Sequence, residues 1–151
     1  MTELLAPASS DRVLEIGTGT GYQTAVLALL CRHVYTIERI VALHERAAAV
    51  LTDLNIKNVS LSVGDGSLGL PESAPFDRII VTAAAPTVPK SLIGQLVDEG
   101  RLVIPVGSDR EQTVVRVIRH GQRTIETPML ACRFVKLIGT EGWTPEEDFK
   151  T

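Results

Sequence analysis

The stretch Val13-Leu14-Glu15-Ile16-Gly17-Thr18-Gly19-Thr20-Gly21-Tyr22 runs from an apolar segment into three alternating glycines, and Glu38 closes the next apolar run. An apolar strand, a glycine turn, a helix and an acid about twenty residues on describe a nucleotide-handling βαβ unit. Glycines let the backbone bend sharply and approach a ligand where a Cβ would collide. Glu38 is then placed to accept hydrogen bonds from the two hydroxyls of a ribose. Its structural alternative is to favour the N-terminus of the helix that starts near Ile40.

The spacing separates two cofactor classes. A dinucleotide fingerprint reads G-x-G-x-x-G, and its third glycine would fall where this chain has Tyr22. The order here is G-x-G-x-G with Glu15 two residues ahead, the form that methyltransferases use for S-adenosylmethionine. That cofactor has no pyrophosphate, so the loop need only fit a sulfonium amino acid and a ribose.

Working outward, Val13–Ile16 reads as a strand, Gln23–Leu30 as a helix and Val34–Ile37 as a second strand. Ile40, Leu43, Ala47, Val50, Leu51 and Leu54 fall on one helical face. Val59, Leu61 and Val63 alternate with serines, which predicts a strand near a sheet edge. The continuous Ile79-Ile80-Val81 belongs at the centre. Thr87 reads as the cap of a helix that reaches Val97, with Gly100 ending it and Leu102–Ile104 forming a fifth strand. Thr113–Ile118, Arg123–Glu126 and Leu130–Ile138 are further strands without helices between them, with a turn at His120-Gly121. The expectation is one α/β domain over residues 1–151, a doubly wound, Rossmann-like, mostly parallel sheet of the class I methyltransferase type with antiparallel C-terminal strands.

Composition bounds the partners. Of 151 residues, 44% are hydrophobic and 22% charged, ordinary for a soluble protein with its own core. A net charge of −3 with no densely basic stretch argues against nucleic acid. The longest apolar run, Ala25–Cys31, falls far short of the ~20 residues of a membrane span. The N-terminus, with Glu3 and Pro7, does not read as a signal peptide. Cys31 and Cys132 form no C-x-x-C and read as free thiols in a reducing cytoplasm. His33, His44 and His120 share no metal-ligand spacing, so no metal is expected.

In such a sheet the loops after the first four strands face one crevice. They carry Gly17–Gly21, Glu38 with Arg39, Gly64-Asp65-Gly66 and Thr82-Ala83-Ala84-Ala85-Pro86. Asp65, directly after the third strand, is placed to accept the exocyclic amino group of an adenine, or else serves the turn between its two glycines. Glu15, inside an apolar strand, is expected to orient the loop by accepting backbone hydrogen bonds. Tyr22 is either a core aromatic or a lid over the methionine end of the cofactor. Asp77, beside Arg78, reads as structural.

Several strings go further. VLEIGTGTGYQTAVLA, VYTIER, VGDG, APFDRIIVTAAAP, EGRLVIPVG and RFVKLIGTEGW, in this order, resemble the protein-L-isoaspartate O-methyltransferases from about Met1 to Trp143. TAAAP and the RFV-L-G-EGW ending are the most specific. The resemblance implies transfer of a methyl group from S-adenosylmethionine to the carboxylate of isoaspartyl residues in damaged proteins, which is protein repair. It makes Gly17, Thr18, Gly19, Gly21, Glu38, Asp65 and Gly66 cofactor residues and lines the substrate cleft with Thr82 to Pro86. Glu15, Tyr22 and Arg39 join the cofactor set by position.

Two departures from the family pattern stand out. Members usually begin with a segment bearing a G-Q-T-I-S-like string, whose serine is thought to sit at the reacting carboxylate. These residues have no counterpart for that serine, which leaves Thr82 as the catalytic candidate and implies impaired activity. Lys136 stands where the ending commonly has proline. Two other readings remain beside the first: a noncatalytic S-adenosylmethionine-binding domain, or a methyltransferase for another substrate. Base methylation commonly uses an N-P-P-Y-like tip after the fourth strand, and Thr82–Pro86 offers no aromatic to stack a base.

Overall fold

In the computed structural model, which describes residues 1–145, seven strands form one sheet. A short helix α1 (Thr2–Leu5) precedes β1 (Arg12–Ile16), α2 (Tyr22–Leu30), β2 (His33–Glu38), α3 (Val41–Asp53) and β3 (Val59–Val63). After two 3₁₀ turns come β4 (Phe76–Val81), α4 (Lys90–Gly94), β5 (Leu96–Gly107), β6 (Gln112–His120) and β7 (Arg123–Cys132). The strand order is β3-β2-β1-β4-β5-β6-β7, parallel through β5 and antiparallel for the last two. The wetter β3 lies at the edge and β4 in the middle, as their patterns predict.

Alternate residues of the central strands feed two cores. Val13, Ile80 and Val103 meet Leu5 and Leu27 on one face. Leu14, Ile16, Ile79 and Leu102 meet Phe76, Leu92 and Leu96 on the other. The continuous Ile79-Ile80-Val81 of β4 follows from burial on both faces. From β1 the chain winds outward to β3, then returns to β4 on the opposite side of β1. That reversal leaves a crevice between the loops following β1 and β4, where ligands of such sheets bind.

The structure departs from the sequence expectations at five points. The helix expected over Thr87–Val97 is only α4, because Leu96 already pairs with Phe76 in the sheet and the Gln95 side chain is stitched to Leu68 and Leu70. Gly100 does not end a helix but lies inside β5, where the register jumps from Phe76↔Leu96 to Arg78↔Arg101. Arg123–Glu126 and the start of Leu130–Ile138 merge into β7, and the chain leaves the sheet after Cys132. His120 still pairs with Arg123, so the turn falls one residue later than His120-Gly121. The α3 face also splits: Ala47 and Leu51 are buried, whereas Val50 and Leu54 are exposed. None of the helices among the described residues is long and apolar enough to cross a membrane.

Candidate active site

A cleft of about 430 Å³ opens at the carboxyl ends of β1, β2 and β4. Gly17 and Gly19 form its turn, with φ of +94° and +55° that side chains rarely adopt. A Cβ on Gly17 would lie 2.5 Å from the Thr82 hydroxyl, whereas one on Gly19 would meet nothing within 4 Å. Backbone at Gly19 is thus open to an incoming ligand.

Glu38 forms part of the cleft wall although only 6% of it is exposed. One carboxylate oxygen accepts the Gly19 N–H at 2.9 Å and the other the Ile40 N–H at 3.0 Å. The side chain thus ties the start of α3 to the glycine turn, and the residue lines the cleft.

Beneath the turn, Glu15 is fully buried. Its Oε2 accepts from the hydroxyls of Thr24 at 2.5 Å and Thr36 at 2.7 Å, and Thr36 meets Thr18 at 2.6 Å. The expected backbone donors are replaced by threonine hydroxyls, so Glu15 braces the loop through side chains. Burial pushes its carboxyl up to about 7 against the lowering effect of those two hydroxyls, with Glu38 adding to the rise.

Asp65 sits just outside the cleft wall. It accepts from the Ser67 N–H at 2.9 Å, the Ser67 hydroxyl at 2.6 Å and the Thr140 N–H at 2.7 Å. Burial would raise its pKa, but these bonds to Ser67 and Thr140 hold it below the usual carboxylate range. The turn role is met in full. Thr82 donates its hydroxyl hydrogen to the carbonyls of Ile16 (3.0 Å) or Gly17 (2.8 Å), which pins the end of β4 to the glycine turn.

Of the other sequence-selected residues, Arg39, Gly66 and Ala83 join the wall. Ala84 and Ala85 are fully buried and Pro86 is exposed, so the TAAAP segment meets the cleft through Thr82 and Ala83. Thr18 is buried, Gly21 is the N-cap of α2, and Tyr22 is 77% exposed on that helix, which excludes its core reading.

Two parts of the wall escaped the sequence reading. Ile40 and Leu43 follow the helical period, yet they face the cleft instead of the core. The segment Val135–Ile138, expected as sheet, folds back over the site: the Ala84 N–H donates to Val135 O at 2.7 Å and the Leu137 N–H to Ala84 O at 2.8 Å. Its signal in the sequence is the RFV-L-G-EGW string, which marks the segment but not where it folds.

Among the described residues, one group could bring three metal-type ligands within 4.8 Å of one another: Asp98, Glu99 and His120. All three are exposed and none lines the cleft. They come from two strands, so no sequence spacing announced them.

The sequence model of the family described as protein-L-isoaspartate(D-aspartate) O-methyltransferase matches residues 1–142. A protein-L-isoaspartate O-methyltransferase of Trichlorobacter lovleyi is 54% identical over 144 residues, covering 95% of this chain and 66% of its own length. One from Methanoregula boonei is 51% identical over 143 residues, with 95% and 66% covered. A solved protein-L-isoaspartate O-methyltransferase superposes with a TM-score of 0.86 at 31% identity, covering 93% of this chain and 46% of its own. A putative one from Plasmodium falciparum, in complex with S-adenosyl-L-homocysteine, shares the fold with a TM-score of 0.77 at 22% identity, covering 91% and 69%. The chain thus spans about two thirds of the length of the curated relatives it matches. On the match of the family model to nearly its whole length, the chain belongs to the protein-L-isoaspartate(D-aspartate) O-methyltransferase family.

Proposed function

We propose that residues 1–151 act as one domain that binds S-adenosylmethionine in this cleft and methylates the carboxylate of isoaspartyl residues in damaged proteins or peptides. The observation that carries the reading is Glu38, a nearly buried acid on the wall of a cleft at the sheet's switch point, tied to the open backbone of Gly19.

The residues present fit the cofactor. Glu38 offers carboxylate lone pairs to the ribose hydroxyls, and Gly19 presents backbone that a side chain would block. Ile37, Ile40 and Leu43 supply an apolar wall for a flat base. Asp65 takes the adenine amino group in exchange for one of its present donors. When bound, the cofactor supplies a methyl group activated on a sulfonium.

The chain's own task is placement. An acceptor carboxylate with a pKa near ~4 is already ionised at neutral pH and needs no general base. In-line positioning contributes ~7–11 kcal/mol in favourable cases. Thr82 contributes by holding the glycine turn to β4, since its single hydroxyl hydrogen is engaged by Ile16 or Gly17. The buried strap around Leu137 and Ile138 excludes water from one side.

A net charge of −3 supports protein or peptide substrates over nucleic acid. The free thiols of Cys31 and Cys132 support a cytoplasmic location. The reading is tested by supplying methyl-labelled S-adenosylmethionine with an isoaspartyl peptide and its aspartyl twin. A base-labile ester on the isoaspartyl peptide alone is expected. Equal labelling of both peptides, or of neither, contradicts it.

A further inference from the structure

Lys136 lines the cleft although only 10% of its side chain is exposed. Its backbone pairs with Ala84, so the root of the side chain is fixed to the segment that carries Thr82 and Ala83. Its Nζ lies 3.2 Å from Asp109 Oδ2 and 5.5 Å from the centroid of the Trp143 ring. The indole is itself held by donating to Ala84 O at 3.0 Å.

A largely buried ammonium is costly unless it is paired. Neighbouring Leu137 and Ile138 show that this wall accepts aliphatic residues. Among the described residues, Arg39 and Glu38 are the other charged groups of the cleft, and the oxygens of Glu38 accept backbone N–H groups. Asp109 lies between β5 and β6 and is 46% exposed. An ion pair to a half-solvated carboxylate is worth little, so a substrate carboxylate can compete with Asp109 for the ammonium.

We propose that Lys136 is a positioning and specificity residue whose ammonium takes a carboxylate of the peptide substrate, with Asp109 as one partner it exchanges. The inference rests on the reading of the cleft as an isoaspartyl methyltransferase site. The carboxylate belongs either to the isoaspartyl residue or to an acidic neighbour in the peptide.

Trp143 is the sole tryptophan, so its fluorescence reports binding beside Lys136. Protein saturated with S-adenosylhomocysteine is titrated with an isoaspartyl peptide having neutral flanks and with the same peptide flanked by aspartates. Lys136→Met should raise Kd about tenfold, the scale of one hydrogen bond between charged groups. Lys136→Arg should retain most of the affinity, Asp109→Asn should tighten binding, and added salt should shrink these differences. A loss confined to the acid-flanked peptide assigns the neighbour, and a loss for both assigns the isoaspartyl carboxylate.

An unchanged Kd in Lys136→Met overturns the inference. So does an Asp109→Asn variant that weakens binding as Lys136→Met does, because the pair would then be merely structural. Affinity for S-adenosylhomocysteine, measured alongside, should stay constant in all variants. If the wild type takes up S-adenosylhomocysteine but neither peptide, the functional reading fails and the inference with it. Peptide binding that is equal in wild type and Lys136→Met removes the inference alone.

Discussion

The acids of this site differ in what surrounds them, and that sets what each can do. Glu38 keeps its carboxylate on the cleft while bonding two backbone N–H groups. Glu38→Ala should weaken S-adenosylhomocysteine binding by roughly 1.5–3 kcal/mol, the range for hydrogen bonds to a charged group. Equal affinity in the variant, measured by calorimetry, would remove Glu38 from the site. Glu15 is sealed beneath the turn with its carboxyl raised from 4.5 to about 7. Between those values the native chain holds a proton that the unfolded chain has lost, so this group's contribution to stability falls as pH rises through the window and levels off above it. Urea midpoints of wild type relative to Glu15→Gln should decline from about pH 4.5 to 7. Parallel curves would contradict the assignment. Glu38 was legible because an acid at the end of an apolar run has a place in the motif. The partners of Glu15 were not, since Thr24 and Thr36 lie on different elements and only folding brings them together.

At the scale of elements, period alone located α3 but could not say what its apolar face touches. Ala47 and Leu51 are buried, Ile40 and Leu43 face the cleft, and Leu54 is 58% exposed. Leu51→Ala should therefore cost about 2–5 kcal/mol of stability, whereas Leu54→Ala should stay within about 0.5 kcal/mol. Similar losses in thermal or urea unfolding would show that the helix is rotated from this placement. The helix expected after Thr87 was overextended because local capping signals cannot register that Leu96 gains a strand partner in Phe76. The strap has the same origin. Residues 133–138 carry strand-like composition, but their partners are the loop after β4 and not another full strand.

Across the whole molecule, the alternation of strands and helices, the right-handed crossover rule and the shift to strands alone after Pro105 sufficed for the architecture. They place the glycine turn, Glu38 and Thr82 at one crevice. What they could not supply was the closing wall, because Val135–Ile138 reaches the crevice only after β6 and β7 have turned the chain back. The assigned chemistry requires that crevice to be the cofactor site. Titration of S-adenosylhomocysteine into the protein by calorimetry tests this most directly. Saturable binding at one site per chain is expected, lost in a folded Gly19→Val variant whose side chain enters the open space above the turn. No binding heat at millimolar ligand, or undiminished affinity in that variant, would contradict it.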